Sequence, residues 1–330
     1  MRKFSRLPGW LVLVGSFVCA WLWMDYQDAV TLPVTDSVVY IEIEKGDSFN
    51  RITRKLLDQN IRIKPLWFKV HAYRHHLAGR LKTGEYEIDK GVTAPAILAL
   101  LASGKTRQYT ITFPEGWAYR QILEAIQKHP ALQKTQVNGE TLLLGLGSEQ
   151  THPEGLFFPD TYFFEKNTTD ATLLKRAYQR MRMILNEEWQ QKQPDLPLES
   201  PYQALILASI VEKETAVAQE RPLIAGVFLR RLKQGMPLQT DPTVIYGMGA
   251  DYQGNIRSQD LKTPTPYNTY LIKGLPPTPI ALPGREAIHA VLHPVSGKSL
   301  YFVAKGDGSH VFSATLKEHN KAVARYQLKH

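Results

Sequence analysis

The sequence predicts an α+β protein with an N-terminal transmembrane helix, a small βααβ module and a larger mixed α/β domain. Three observations predict this arrangement. A basic start precedes a long uncharged stretch, strand and helix patterns alternate over the next seventy residues, and helices then mix with polar, proline-rich loops. A chain of 330 residues suits about two domains, and 43% hydrophobic with 22% charged residues is typical of a folded protein.

The N-terminus predicts a single membrane span. Residues 1–6 include Arg2, Lys3 and Arg6, and residues 7–24 carry no charge. About 18 apolar residues is the short end of what a transmembrane helix needs. The positive-inside rule places residues 1–6 in the cytoplasm and the chain from residue 25 outside it. A cleaved signal peptide is the alternative, but this stretch offers no small-x-small cleavage site.

The single cysteine and the net charge limit which covalent links and which partners the chain can have. Lipid attachment at Cys19 would need a small side chain before it, but the preceding residue is Val18. Because this single cysteine lies inside the predicted span, the exported part has no disulfide. The net charge of +9 suits an anionic partner such as lipid headgroups or the carboxylates of a cell-wall polymer. Nucleic acid is a poor candidate for a partner beyond a membrane.

After a polar linker at residues 25–37, residues 38–106 predict a βααβ module. Val38–Glu44 alternates like a half-buried strand, a Gly-Asp-Ser turn ending at Ser48 can cap a helix, a second helix covers residues 65–76, and Gly84–Ile88 closes with a strand. This order resembles the LysM module, which binds glycans containing N-acetylglucosamine. Phe49 departs from the leucine usual after the turn, and glycan binding is an implication of the resemblance.

Two groups of histidines deserve a test as metal ligands. His71 and His75 are spaced i, i+4, as are His289 and His293, so each pair can share one helix face. Neither pair has a carboxylate or cysteine at matching spacing. We therefore predict solvated basic faces and no metal site.

The domain at residues 107–330 contains a helix with two unexpected acids. Ser200 can serve as N-cap, Pro201 suits the first helical position, and Pro222 is a plausible stop just past Arg221. With about 100° per residue, Glu214 shares the most apolar face, whereas Glu212 points toward solvent or a salt bridge.

Burial would raise the pKa of Glu214, as a general acid near neutral pH requires. The alternative is a structural glutamate neutralised by Arg221 or Arg230. The helix by itself leaves both open.

Polar side chains gather in loops that follow and precede this helix. Gln239, Thr240, Asp241 and Tyr246 lie in one short segment bounded by prolines and glycine, a composition that suits a polyhydroxylated ligand. Thr263–Tyr270, which includes Asn268, and Glu154–Tyr162 repeat this chemistry with aromatic residues, although packed core explains the latter equally well. Since no serine elbow, phosphate loop, dinucleotide fingerprint or Cys-His pair is present, the reactive group should be a carboxyl.

Taken together, seven motifs resemble those of the endolytic murein transglycosylase (YceG-like) family, in the family's order and over most of residues 38–330. They are Glu154-Gly…Pro159-Asp-Thr-Tyr162, Ile210-Val-Glu-Lys-Glu-Thr215, Glu220-Arg221, Leu238-Gln-Thr-Asp-Pro-Thr243, Tyr246-Gly247, Tyr267-Asn-Thr-Tyr270 and Gly274-Leu-Pro-Pro277.

The resemblance implies an enzyme of the cell inner membrane whose C-terminal domain faces the periplasm. Such an enzyme cleaves nascent peptidoglycan strands between N-acetylmuramic acid and N-acetylglucosamine, leaves 1,6-anhydro ends, and needs no cofactor or metal. It also implies work beside penicillin-binding glycan synthases, as a terminator of strand elongation.

The family's catalytic glutamate maps onto Glu214. Seven further residues are expected to bind or orient the sugar: Glu154, Tyr162, Gln239, Thr240, Asp241, Tyr246 and Asn268.

Two alternatives remain at the level of the sequence. If Asp241 is a second catalytic carboxyl, the enzyme is a muramidase that hydrolyses the same bond. If no residue is catalytic, the chain is a wall-binding scaffold held by its LysM-like module and its anchor.

Overall fold

The computed structural model describes residues 9–327, which form an α+β protein of two compact units. The first unit comprises the chain up to Tyr109 together with Phe164–Lys166, and the second comprises Thr110–Phe163 and the chain from Asn167 onward. Elements of the first part of the chain are α1 Gly9–Thr31, β1 Val39–Ile43, α2 Phe49–Asp58, α3 Pro65–Arg74, β2 Gly84–Ile88 and α4 Ala94–Ser103.

Helix α1 corrects the predicted membrane span. Its described part carries no charge from Gly9 to Met24. Asp25 and Asp28 follow within the same helix. Across residues 9–327, no helix combines the length and the apolar character needed to cross a membrane. The predicted transmembrane helix is therefore wrong, and its first two residues and the predicted tail 1–6 lie outside the described residues.

The second half of α1 is instead built into the first unit. The indole Nε1 of Trp67 donates to the carboxylate of Asp25 at 2.6 Å, and Lys64 pairs with the same carboxylate. The hydroxyl of Tyr26 is 3.1 Å from Nδ1 of His71. Asp25, which the sequence predicts to lie just beyond a membrane span, thus holds α1 to the start of α3.

The first unit contains the elements β1, α2, α3 and β2 in that order. The two strands are antiparallel, with Val39 opposite Ile88 and Ile43 opposite Gly84. Their inward side chains pack with those of α2, α3 and α4 in one core, in which Leu56 and Tyr86 are fully buried. The likeness to a LysM module remains a prediction.

The second part of the chain is mostly helical. Its elements are β3 Gln108–Thr112, α5 Tyr119–Lys128, β4 Leu132–Gln133, α6 Gly139–Gly145, β5 Thr161–Glu165, β6 Thr168–Thr169, α7 Asp170–Gln190, α8 Pro201–Glu214, α9 Arg221–Lys233, α10 Asp241–Met248, α11 Arg285–Leu292, β7 Tyr301–Ala304, β8 His310–Ser313 and α12 Leu316–Tyr326. Strand β3 pairs with β5, β4 with β6, and β7 with β8.

Helix α8 forms the centre of the second unit, because every residue from Ala204 to Val211 is buried. It packs against α7, α9, α10 and α11. The hydroxyl of Ser200 accepts from the backbone N–H of Gln203 at 3.3 Å, so the predicted cap is present.

The helix ends at Glu214, eight residues before the predicted stop at Pro222. Thr215 is extended, and its hydroxyl accepts from the N–H of Val217. Pro222 starts α9 rather than ending α8.

One glycine next to the site has a backbone that other residues would strain. Gly155 has φ +74°, and an added Cβ would lie 2.4 Å from the Cβ of Pro279 and 3.2 Å from the carbonyl oxygen of Ala281. Gly235 has a similar φ of +64° but open space around it.

We expect Gly155→Ala to lower the free energy of unfolding by about 2–5 kcal/mol, because left-handed strain adds to overpacking. Gly235→Ala should cost only about 1–2 kcal/mol, from the strain alone. Urea unfolding of both variants measures the difference, and equal losses would contradict the close packing at Gly155.

Candidate active site

Glu214 is the last residue of α8, and its carboxyl lines two cavities of the second unit. The hydroxyl of Thr240 donates to Oε2 at 2.8 Å. The pKa of Glu214 is raised to about 7, mainly by burial and also by the negative charge of Asp241, while the bond from Thr240 and the charge of His310 oppose the rise. Near pH 7 this carboxyl is therefore protonated in about half of the molecules, a balance suited to both giving and taking a proton.

The hydrogen-bond donor to Glu214 sits on a rigid segment. The N–H of Gln239, which has a left-handed φ of +52°, bonds to the carbonyl of Thr269 at 3.0 Å, and the N–H of Thr240 bonds to the Thr269 hydroxyl at 3.1 Å. Thr243 donates or accepts at the same hydroxyl. These bonds fix Thr240, which is fully buried and lies under the carboxyl rather than in a cavity.

Arg231 of α9 also binds the segment that contains Gln239. Its Nη1 donates to the carbonyls of Pro237 and Leu238 at 3.1 and 2.9 Å and to the side-chain oxygen of Gln239 at 3.2 Å. Its Nε donates to the carbonyl of Leu300, the residue before β7. A buried guanidinium thus ties the Gln239–Asp241 segment to the C-terminal hairpin.

Asp241 and Gln239 share a cavity with Glu214. This space, called here the Glu214 cavity, has a volume of about 430 Å³ and is also lined by Arg231, Tyr270 and His310. The hydroxyl of Tyr270 donates to Oδ1 of Asp241 at 2.7 Å. The second carboxylate oxygen remains available to a ligand.

Glu212 has a different role from Glu214, although both stand in one motif. Its Oε2 accepts from the N–H of Gly284 at 3.0 Å, and its Oε1 is 3.6 Å from Nη2 of Arg221. The side chain is only 6% exposed, so of the two options left by the sequence, solvent or salt bridge, the structure has the salt bridge. Arg230 donates to the carbonyls of Ser299 and Val295. Neither arginine neutralises Glu214.

Glu154 lines a second cavity of about 460 Å³, called here the Glu154 cavity. Its Oε1 accepts from the N–H of Tyr119 at 2.9 Å, and its Oε2 accepts from the hydroxyl of Tyr246 at 3.1 Å. Burial raises the pKa of Glu154 to about 7, against the lowering effect of these bonds. Tyr246, Tyr252 and Tyr267 supply aromatic faces to this cavity, and Arg120 and Lys213 supply positive charge.

A third cavity shares lining residues with the other two. It has a volume of about 430 Å³, shares Glu214 with the Glu214 cavity, and shares Gly116 and Lys213 with the Glu154 cavity. The nitrogen Nζ of Lys213 donates to the carbonyl of Gly116 at 3.2 Å. Lys213 and Glu214, at the end of α8, therefore each line two of the three cavities.

Two of the residues expected to bind substrate lie elsewhere. Tyr162 is buried, donates to the carbonyl of Phe158 at 2.7 Å and packs on Phe113. Asn268 is fully buried, and its amide nitrogen donates to the carbonyls of Leu261 and Thr263 at 3.1 and 2.8 Å. Neither side chain lines the three cavities.

Sequence reasoning missed His310, which stands on the wall of the Glu214 cavity. It begins β8, in an antiparallel hairpin that pairs Ala304 with His310. The only local signal was the Gly306-Asp-Gly308 turn between two short apolar runs, which is typical of a hairpin. Nothing in that signal connects the histidine with a glutamate almost a hundred residues earlier.

One cluster within residues 9–327 has the ligand types of a metal centre. It consists of Glu188, His289 and His293. The fold brings the carboxylate of Glu188 to the second histidine pair, and the spacing of residues in the sequence does not predict this. Glu188 already accepts from Arg285 at 2.6 Å and lies 2.8 Å from Nδ1 of His289. The two imidazoles stack face to face at 4.1 Å, and one ion cannot lie in the plane of both rings. The arrangement fits a hydrogen-bonded ion pair better than a metal site.

Comparison with known proteins identifies the family of this chain. The family model of the YceG-like family matches residues 41–325. The endolytic murein transglycosylase of Bacillus subtilis is 34% identical over 338 residues, which cover 96% of this chain and 91% of that protein. The endolytic murein transglycosylase of Streptococcus pneumoniae D39 is 28% identical, and the match covers 87% of this chain and 58% of that longer protein.

A solved structure agrees as well. The crystal structure of a yceG-like protein from Listeria monocytogenes superposes with a TM-score of 0.56 at 28% sequence identity, covering 86% of this chain and 98% of that one. The match of the family model and the Bacillus relative each extend over nearly the whole chain. The chain belongs to the YceG-like family.

Proposed function

We propose that this chain is an endolytic murein transglycosylase in which Glu214 is the group that transfers the proton. It cleaves peptidoglycan strands between N-acetylmuramic acid and N-acetylglucosamine and leaves 1,6-anhydro ends. The observation that carries the proposal is the carboxyl of Glu214, which lines two cavities and has a pKa of about 7. The curated relatives named as endolytic murein transglycosylases support the reaction class.

The reaction needs one carboxyl because the substrate supplies its own nucleophile. Protonated Glu214 gives its proton to the glycosidic oxygen, and the bond from that oxygen to C1 of the muramic acid breaks. The C6 hydroxyl of the same sugar attacks C1 and loses its proton, which restores the acid form of Glu214. Because the nucleophile is already part of the substrate, proximity replaces the second carboxyl of an ordinary glycosidase.

The neighbours of Glu214 prepare this carboxyl for both steps. The Thr240 hydroxyl stabilises the carboxylate form, and Asp241 disfavours it through its negative charge. Gln239 and the free oxygen of Asp241 are placed to orient the sugar and its developing positive charge, and Glu154 and Tyr246 are placed to bind a sugar in the next cavity. Tyr162 and Asn268 lie outside the three cavities and hold nearby backbone carbonyls in place.

The substrate implies the setting and the partners. Peptidoglycan lies in the cell envelope, and the net charge of +9 suits its anionic groups. Termination of strand elongation beside penicillin-binding glycan synthases is part of the proposal. Among the named relatives, none supports the hydrolytic muramidase or the non-catalytic scaffold.

The reaction is tested on purified, uncross-linked glycan strands by mass spectrometry of the products. The wild-type protein should give anhydro ends, and Glu214→Gln should lower the rate at least about a hundredfold, since the amide cannot donate an acidic proton. Glu212→Gln keeps the acceptor for Gly284 and should retain well over ten times the rate of Glu214→Gln. Wild-type activity in Glu214→Gln would refute the assignment.

The pH profile tests the state of this carboxyl. The raised pKa means that the required proton is present below about pH 7 and is lost above it, so the rate should fall as pH rises through 7. Thr240→Val removes a bond that lowers the pKa and should move this decline to higher pH. Asp241→Asn removes a charge that raises the pKa and should move it to lower pH. Shifts in the same direction would contradict the opposing effects of these neighbours.

A further inference from the structure

Glu220 and His310 form a hydrogen-bonded pair beside the Glu214 cavity. Glu220 ends the short 3-10 turn Ala218–Glu220 between α8 and α9, and His310 begins β8. One carboxylate oxygen accepts from the backbone N–H of His310 at 2.8 Å, and the other lies 2.7 Å from the ring nitrogen Nδ1. Each side chain is 11% exposed. Two bonds to one carboxylate fix both the position and the rotation of the imidazole.

The pair leaves the other ring nitrogen available. Burial alone would raise the pKa of Glu220, but the bonds from His310 outweigh it and hold the pKa below its ordinary value. The carboxylate is therefore ionised and only accepts, so the hydrogen of a neutral His310 is on Nδ1 and Nε2 carries a lone pair. Within residues 9–327, Nε2 has no hydrogen-bond partner, and the ring lines the same cavity as Glu214.

We propose that His310 is a second catalytic residue: its Nε2 binds the C6 hydroxyl of the muramic acid and takes the proton of that hydroxyl as it attacks C1. The proposal rests on the proposed function and assigns the base of its second step. Glu220 orients the ring and stabilises the imidazolium that forms, the arrangement by which a carboxylate and a histidine activate a hydroxyl in serine hydrolases.

Protons and bonds balance in this scheme. Glu214 gives its proton to the glycosidic oxygen, and the bond to C1 breaks. The C1–O6 bond forms while the proton of O6 passes to Nε2 of His310. The imidazolium returns this proton to the Glu214 carboxylate, so that both side chains end as they began and no water is consumed. Glu214 and His310 interact electrostatically, because positive charge on His310 lowers the pKa of Glu214.

Asp241, Arg231 and His319 also line this cavity. One oxygen of Asp241 accepts from Tyr270, and Arg231 holds the segment before α10. The ring of His319 stacks on Tyr301 at 5.2 Å, and burial lowers the pKa of this histidine. Its buried Nδ1 has no hydrogen-bond partner among the described residues, so no carboxylate orients this ring as Glu220 orients His310. A purely structural role for the Glu220–His310 pair would be to fasten the hairpin to the turn after α8, and a test must separate the two roles.

The variant His310→Asn separates a catalytic role of the Glu220–His310 pair from a structural one. The asparagine amide occupies the place of Nδ1 and can still donate to Glu220, and the backbone bond is unaffected, but Nε2 is lost. We expect the rate to fall about a hundredfold. We also expect hydrated ends to appear beside anhydro ends, because water competes better with an unassisted C6 hydroxyl. Mass spectrometry of digested uncross-linked strands gives the ratio, and thermal unfolding checks the fold.

His289→Asn is the matched control. Nδ1 of His289 pairs with Glu188 at the same kind of distance, 2.8 Å, but this histidine lies on α11 and lines none of the three cavities. Its rate and product ratio should equal those of the wild-type protein.

Glu220→Gln is the second variant, since it keeps an acceptor but removes the charge that stabilises the imidazolium. It should shift the product ratio in the same direction, and it decides the question if His310→Asn does not fold. An unchanged ratio in the folded variants, whatever their rates, means that the pair is only structural and overturns the proposal. If the wild-type protein itself gives only hydrated ends, the proposed function fails first, and this inference fails with it.

Discussion

The candidate site depends on one constraint, the removal of the Glu214 carboxyl from water at the end of a buried helix. Helix α8 is buried from Ala204 to Val211 and therefore cannot shift without disturbing the core of the second unit. Its last residue carries a carboxyl to the C-terminal end of the helix dipole, where negative charge is disfavoured. Burial has the largest effect on the pKa of this carboxyl, and the bond from Thr240 opposes it, so the pKa is about 7. A carboxyl of this kind can act as an acid and then be restored within one turnover.

The surroundings of Glu214 form a rigid frame built from distant parts of the chain. Arg231 of α9 binds the carbonyls before α10 and the carbonyl before β7, and Thr269 receives the backbone bonds of Gln239 and Thr240. The left-handed backbone of Gln239 is an uncommon conformation for a residue other than glycine, and these bonds maintain it. Such a frame keeps the hydroxyl of Thr240 at hydrogen-bond distance from Glu214, and small displacements there would change the pKa of Glu214.

Several parts of this site could be predicted from the sequence. The cap at Ser200 and the apolar run after it predicted α8, and the dense polar segment at Gln239–Tyr246 pointed to ligand contacts because stiff loops rich in donors and acceptors serve that purpose. Other expectations failed for local reasons. The helix ends at Glu214 because the hydroxyl of Thr215 bonds to the N–H of Val217, a competition between side chain and helix that a periodic pattern does not reveal. The uncharged N-terminal stretch predicted a membrane span, yet none of the described helices combines the length and apolar character to cross a membrane, and α1 bonds to α3 through Asp25.

The sequence by itself determined which residue types were available: a carboxyl on an apolar helix face, and motifs that resemble one family of cell-wall enzymes in their order. Only the tertiary structure decided what each of them does. It paired Glu212 rather than Glu214 with Arg221, it bonded Tyr162 and Asn268 to backbone carbonyls outside the three cavities, and it brought His310 to Glu220. The physical reason is that a pKa and a free lone pair depend on neighbours in space. Those neighbours come from helices and hairpins far apart in the chain, and local sequence patterns carry no record of them.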